Sequence, residues 1–129
     1  MALDLDRLDD AVIEFLRERH LATLTTSRVD GSPHVVPVGF GYAPTERLVR
    51  IITVEGSQKV RNADRGGRAA VSQVDGGRWL TLEGPVRVRR DPTSVERAVE
   101  AYAARYRDPS PRDARVAIEI LVDRILGRV

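Results

Sequence analysis

Lys59, Arg61 and Arg65 set three cations on or beside a short turn that opens with Gly56-Ser57-Gln58. An ammonium and two guanidiniums this close together attract an anion, and phosphate suits such charge-assisted donors. Gly56 breaks the apolar run Leu48–Val54 before it. Ser57 is expected to cap a short helix by accepting from a backbone N–H two or three residues on. The start of that helix would offer unpaired, partly positive N–H groups to the same anion. Taken without its surroundings, the stretch also fits an ordinary surface connection with solvated basic residues.

The surrounding charge sharpens the first reading. Between Ser57 and Trp79, the cations Lys59, Arg61, Arg65, Arg68 and Arg78 face only Asp64 and Asp75, a local excess of +3, although the whole chain carries only +2. Such a field suits a small polyanion. Nucleic acid is a poor candidate, because there is no long basic stripe and aromatic residues make up only 5% of the chain.

Most intrinsic catalytic chemistries are missing. The chain has no cysteine, which removes disulfides, thiolate catalysis and Cys-ligated metals. With only His20 and His34, no protein metal site is expected. Gly39-Phe40-Gly41 lacks the third glycine and the following helix of a dinucleotide fingerprint, and no GxxxxGK[ST] loop occurs. Asp30, Ser32 and His34 are neighbours in a hairpin, whereas a hydrolase triad converges from separate elements. No carboxylate pair resembles a glycosidase site. These absences favour borrowed cofactor chemistry or a binding protein.

The elements that must position the cations follow from periodicity. Asp4–Arg19 reads as an amphipathic helix with Leu5, Leu8, Val12, Phe15 and Leu16 on one side. Leu21–Arg28 and Pro33–Tyr42 read as strands joined by the turn Val29-Asp30-Gly31-Ser32. Pro33 and Pro37 cannot donate to a ladder, so the second strand belongs at an edge or carries a bulge. Further strands are expected at Leu48–Val54, Arg68–Val74 and Arg78–Arg90, the last bent at Gly84-Pro85. Asp91-Pro92 starts a helix that runs to about Arg107, and Arg115–Val122 is the final strand. Hairpin connections dominate, so the chain is expected to form one mainly β domain over residues 1–129, an antiparallel β-barrel with flanking helices. No apolar run reaches the ~20 residues of a membrane span and no signal segment opens the chain, which leaves a cytoplasmic protein as the expectation.

Leu21–Thr26 with Asp30–Val38, the stretch Gly56–Arg65, and Ser72–Gly84 together resemble the split β-barrel flavin and deazaflavin proteins, relatives of pyridoxamine 5′-phosphate oxidase. The last two stretches look like the actinobacterial branch that uses coenzyme F420, and within it the F420-dependent biliverdin reductases of mycobacteria. The resemblance includes Ala103-Ala104-Arg105-Tyr106-Arg107 in the late helix. It implies an FMN-binding-type split β-barrel that is homodimeric, with two cofactor sites near the subunit interface. It further implies an oxidoreductase that passes a hydride from reduced F420 to a conjugated organic substrate such as biliverdin.

Carried over by position, Lys59 resembles the phosphate-binding lysine, backed by Ser57 and Gln58, with Arg65 reaching the same anionic tail. His34, Val35, Val36, Pro37 and Val38 would run beside the ring and ribityl chain, and Ile52, Thr53 and Val54 would line the same groove. Gly77, Arg78 and Trp79 would close it across the interface, with Arg78 a candidate to stabilise an anionic intermediate. Two other readings keep the fold: an FMN-dependent oxidase or reductase, and an F420- or haem-binding protein without turnover. Arg87, Arg89 and Arg90 are either a solvated strand face or contacts to a propionate or an oligoglutamate tail. The chain stops soon after its last expected strand, so a tail that shapes a relative's pocket is expected to be short or missing.

Overall fold

The computed structural model describes residues 2–129. Eight strands and three helices follow one another as α1 (Asp10–Arg17), β1 (Ala22–Ser27), β2 (Pro33–Val38), β3 (Gly41–Ala43), β4 (Leu48–Val54), α2 (Gln58–Asp64), β5 (Arg68–Asp75), β6 (Arg78–Arg89), α3 (Pro92–Arg105), β7 (Arg115–Leu121) and β8 (Arg124–Arg128). The strands form one antiparallel sheet in the order β2-β1-β5-β6-β7-β4-β3, with β8 also paired to β6. It encloses a core that includes Phe15, Leu24, Phe40, Ile51, Leu80, Leu82, Ile118 and Ile125, each at most 1% exposed. Among the described residues no helix is long and apolar enough to cross a membrane.

The long strand β6 joins the two halves of the sheet. Its first part pairs with β5 through Pro85 and with β8 as far as Glu83, and Val86–Arg89 pair with β7. The expected bend at Gly84-Pro85 is therefore the point where β6 changes partner. A Cβ on Gly84 would collide with the Leu121 carbonyl, so only glycine lets the strands approach there. From Glu83 to Val86 β6 advances three residues while its partner covers four, from Arg124 back to Ile120. β7 and β8 are thus one path along β6, broken by a bulge at Val122-Asp123.

Three local expectations need correction. The first helix begins at Asp10, because the preceding residues do other work: Leu3 N donates to Ile125 O, and Asp4 closes a turn with Arg7. The strand expected over Pro33–Tyr42 is two strands, with β2 pairing β1 and β3 pairing β4. The break falls where Phe40 turns fully into the core and its N–H meets Tyr106 Oη at 3.2 Å. The last strand of the chain is β8, not Arg115–Val122. β2 has β1 as its one partner, and an edge is where its two prolines cost least.

Candidate functional site

Lys59 lies one residue inside α2, on a turn held from below by a buried amide. Asn62 is 2% exposed, and its Nδ2 donates to Thr26 Oγ1 on β1 at 3.0 Å. Its Oδ1 accepts from Gln58 Nε2 at 2.8 Å and from Arg65 at 3.1 Å. From above, Arg90 grips Glu55 and Asp64 at opposite ends of the turn, at 2.5 and 2.7 Å. These bonds fix the turn to the sheet below it and close it from end to end.

Ser57 occupies the cap position of α2 with extended backbone, yet its hydroxyl makes no capping bond. Its Oγ is instead buried without a partner, and so is Nδ1 of His34. Burial lowers the His34 pKa, and the charges of Arg28, Lys59 and Arg61 lower it further. Lys59 is half-buried, and desolvation alone lowers its pKa. An ammonium losing hydration without a carboxylate, beside two unpartnered buried polar atoms, is the arrangement an incoming anion completes. These residues fit a phosphate.

Beside Lys59 runs a groove of about 390 Å³, lined by Pro37 and Val38 of β2, Ile52, Thr53 and Val54 of β4, and residues of α3 and the loop after it. That volume falls in the range of about 300–1,000 Å³ usual for small-molecule sites. The structure thus gathers six of the residues expected from the sequence: Pro37, Val38, Ile52, Thr53, Val54 and Lys59. The sequence reading missed Gly39, Tyr102, Arg107, Pro109, Ser110, Arg112 and Arg115, which line the same groove. With Lys59, the three arginines make four cations and no carboxylate in the lining. In the sequence the Pro109-Ser110-Pro111-Arg112 stretch reads only as a helix stop.

Other expected residues stand apart from the groove. Arg65 is turned to β1, donating to Ser27 O at 2.6 Å. Gln58 is occupied by Asn62 and Arg61. Val36 packs on the core and Val35 points outward. Arg78 is bonded to Glu18 through two nitrogens at 3.0 and 3.1 Å and to Asp75 at 2.5 Å, and its guanidinium lies 4.4 Å from the centre of the Phe15 ring. These bonds, with His20, hold Glu18 at a pKa of about 2 and push Arg78 well above its usual value. An arginine so held is no proton donor. It also fills the one group of carboxylates and histidine among the described residues, Glu18, His20 and Asp75, with its own positive charge. Arg87 and Arg89 pair with the buried Glu119, and Arg90 serves α2; all three remain partly exposed, on a solvated face that also carries these ion pairs, and none lines the groove.

On the outer face of the sheet, residues alternate away from the core. Val35 lies opposite Thr25, Thr25 opposite Ala70, Thr23 opposite Ser72, Ser72 opposite Thr81, and Val74 opposite Trp79. Val35 is 57% exposed, Val74 69% and Trp79 37%. Across strands β2, β1, β5 and β6 these positions form an uncharged stripe, bordered on the same face by Glu83 opposite Ala70 and by Arg128 opposite Trp79.

A mainly β antiparallel chain of this topology, with three helices and a cationic groove beside a strand-to-helix turn, is a split β-barrel. The chain belongs to the pyridoxamine 5′-phosphate oxidase family, whose sequence profile matches residues 8–128. It is 54% identical over 121 residues to the F420H(2)-dependent biliverdin reductase of Mycobacterium tuberculosis (strain CDC 1551 / Oshkosh), covering 94% of this chain and 88% of that protein. Among solved structures, a protein described as an F420 reductase superposes with a TM-score of 0.76 at 25% identity, covering 92% of this chain and 98% of its own. A conserved hypothetical protein of Mycobacterium tuberculosis superposes with a TM-score of 0.78 at 22% identity, over 95% of this chain and 85% of its own, a likeness of fold.

Proposed function

We propose that this protein is a coenzyme F420-dependent oxidoreductase that reduces a conjugated, carboxylate-bearing organic molecule, with biliverdin the first substrate to test. The observation that carries the reading is the unpaired, half-buried Lys59 in the wall of a groove whose charged lining is wholly cationic, with the partnerless Ser57 Oγ two residues before it and His34 within reach of its charge. The names of the 54%-identical relative and of the F420 reductase neighbour support it.

Lys59 would hold the phosphate by a charge-assisted bond, with Ser57 and His34 completing its coordination. Backbone and side chains of Pro37–Val38 and Ile52–Val54 would flank the ring, fixing its position between two strands of one sheet. Arg107, Arg112 and Arg115 would face the remaining anionic groups of cofactor and substrate. When bound, reduced F420 supplies a hydride. The chain supplies orientation, charge and exclusion of water.

The uncharged stripe of the outer face, with Val35, Val74 and Trp79, would pair two copies as a homodimer and bring the Gly77-Arg78-Trp79 turn of one copy against the groove of the other. The test is direct. Purified protein is titrated with F420 and with FMN, and loss of reduced F420 is then followed with biliverdin present. Tight FMN binding without F420 affinity would overturn the reading in favour of a flavin enzyme. Tight F420 binding without turnover on any conjugated substrate would favour a carrier.

A further inference from the structure

A second cavity of about 350 Å³ lies on another side of α3, between α1, β3 and β4. Its walls are Leu16 and Arg17 of α1, Gly41, Tyr42 and Ala43 of β3, Arg50 of β4, and Ala101, Ala104 and Arg105 of α3. It shares no lining residue with the groove beside Lys59. Four of its residues, Gly41, Ala43, Ala101 and Ala104, are the smallest a chain can offer. α3 and β3 touch where a Cβ on Gly41 would lie 2.9 Å from that of Ala101. The void beside that contact is therefore space that larger side chains would fill in an ordinary close-packed interior.

The polar groups of the cavity do not balance. Arg50 is 9% exposed, and one nitrogen reaches Glu46 at 3.0 Å while Nε is buried with no partner. Glu46 is shared with Arg97 at 4.0 Å, so its charge is divided. Arg105 spends its donors on neutral acceptors, Glu18 O and Phe40 O at 2.8 Å and Gln73 Oε1 at 2.7 Å. Arg17 has no ion-pair partner among the described residues. Arg17, Arg50 and Arg105 thus line a largely apolar cavity with no carboxylate among its lining residues, and of the three Arg105 is already satisfied. Unmade donors beside apolar walls favour a ligand with an acceptor of negative charge and a hydrocarbon body.

We propose that the cavity between α1, β3 and α3 binds a small amphiphilic carboxylate, its charge toward Arg50 and Arg17 and its hydrocarbon against Leu16, Ala101 and Ala104. The cavity's volume of about 350 Å³ falls in the range usual for small-molecule sites and has room for a short hydrocarbon chain.

The proposal is independent of F420 binding and is tested without it. Octanoate and octylamine are titrated into the protein by calorimetry, with amide chemical shifts recorded in parallel. Saturable octanoate binding is expected, with shifts at Gly41, Ala101 and Ala104, and no matching response to octylamine. Ala104→Trp plugs the cavity from an exposed position and should weaken octanoate by at least about tenfold, as should Arg50→Met. If Arg50→Met does not fold, Ala104→Trp decides alone. No saturable octanoate binding at millimolar concentration, equal binding of octylamine, or octanoate binding unchanged in Ala104→Trp would each overturn the proposal.

Discussion

The side-chain amide of Asn62 donates to Thr26 Oγ1 at 3.0 Å, and both residues are 2% exposed. This single buried bond ties the turn that carries Lys59 to the strand pair that carries His34, since Thr26 lies opposite His34 in the ladder. Asn62→Leu leaves the Thr26 hydroxyl unpaired and should cost about 1–3 kcal/mol of stability. Asn62→Leu combined with Thr26→Val removes both polar groups and should recover part of that loss. Thermal denaturation of the two single variants and the double variant measures the coupling, and strict additivity would refute it.

Lys59→Ala should weaken F420 binding by about 1–3 kcal/mol, roughly 5- to 150-fold in Kd, while the fold stays intact. Half-buried without a carboxylate, Lys59 contributes desolvation cost to the empty protein and is not needed to hold α2. The variant's melting temperature should therefore be unchanged or slightly higher. Equal affinity in fluorescence titrations of the two proteins would remove Lys59 from the site.

Affinity should depend on pH through His34. Burial and the charges of Arg28, Lys59 and Arg61 depress its pKa below the usual 6.5. The unfolded chain therefore takes up the proton first, and stability of the empty protein declines as pH falls below that value. A bound anion beside His34 reverses the balance, raising its pKa and drawing in a proton. F420 should consequently bind more tightly as pH drops from about 8 to about 6, and His34→Gln should flatten the profile. A wild-type profile already flat over that range would show that the anion lies out of reach of His34.

Arg78 bears on acid stability. It is the main cause that lowers Glu18 from 4.5 to about 2. A carboxylate with a depressed folded-state pKa stabilises fully above its unfolded value, and that stabilisation disappears as pH falls from about 4.5 toward 2. Arg78→Met should move the acid unfolding midpoint to higher pH, which circular dichroism along a pH titration would detect. An unchanged midpoint would mean the pair contributes nothing to the fold.

Val74→Glu should produce a monomer. Native particles are expected at twice the 14.3 kDa chain mass by light scattering after size exclusion. A charge on the uncharged stripe opposite Trp79 would have to be desolvated on pairing. A variant that keeps the native mass would place the interface elsewhere.

Local signals made much of this molecule legible in its sequence. Gly56 marks the end of β4, the two prolines of β2 mark an edge, and Asp91 caps α3 by accepting from Ser94 N at 3.0 Å, as its type and position require. The groove wall from Tyr102 to Arg115 was not legible. Tyr102 reads as one more apolar position on α3, and nothing near Arg107, Arg112 or Arg115 in the chain reveals that Lys59 lies across from them. β8 escaped because its five residues carry little periodicity, and its pairing depends on β6, more than thirty residues earlier. Ser57 illustrates the opposite failure. Its type and place specify a cap, yet the hydroxyl is left over, and the departure from the local rule coincides with the candidate site.

The sharing of β6 between both halves of the sheet has a bearing on how the groove can adapt. α2 is tied to β1, and α3 lies over β4 and β7, but β6 runs unbroken between the two groups of strands. Both groups of strands are tied through the ladder bonds of that strand, which hold the two walls in one framework. What remains adjustable is the connection from Tyr106 to Ala114, which contributes Arg107, Pro109, Ser110 and Arg112 to the groove and belongs to no strand. Under the proposed function the barrel would serve as the socket for the cofactor, and that connection as the exchangeable wall facing the substrate. Replacing those nine residues should then alter substrate choice while leaving the barrel intact.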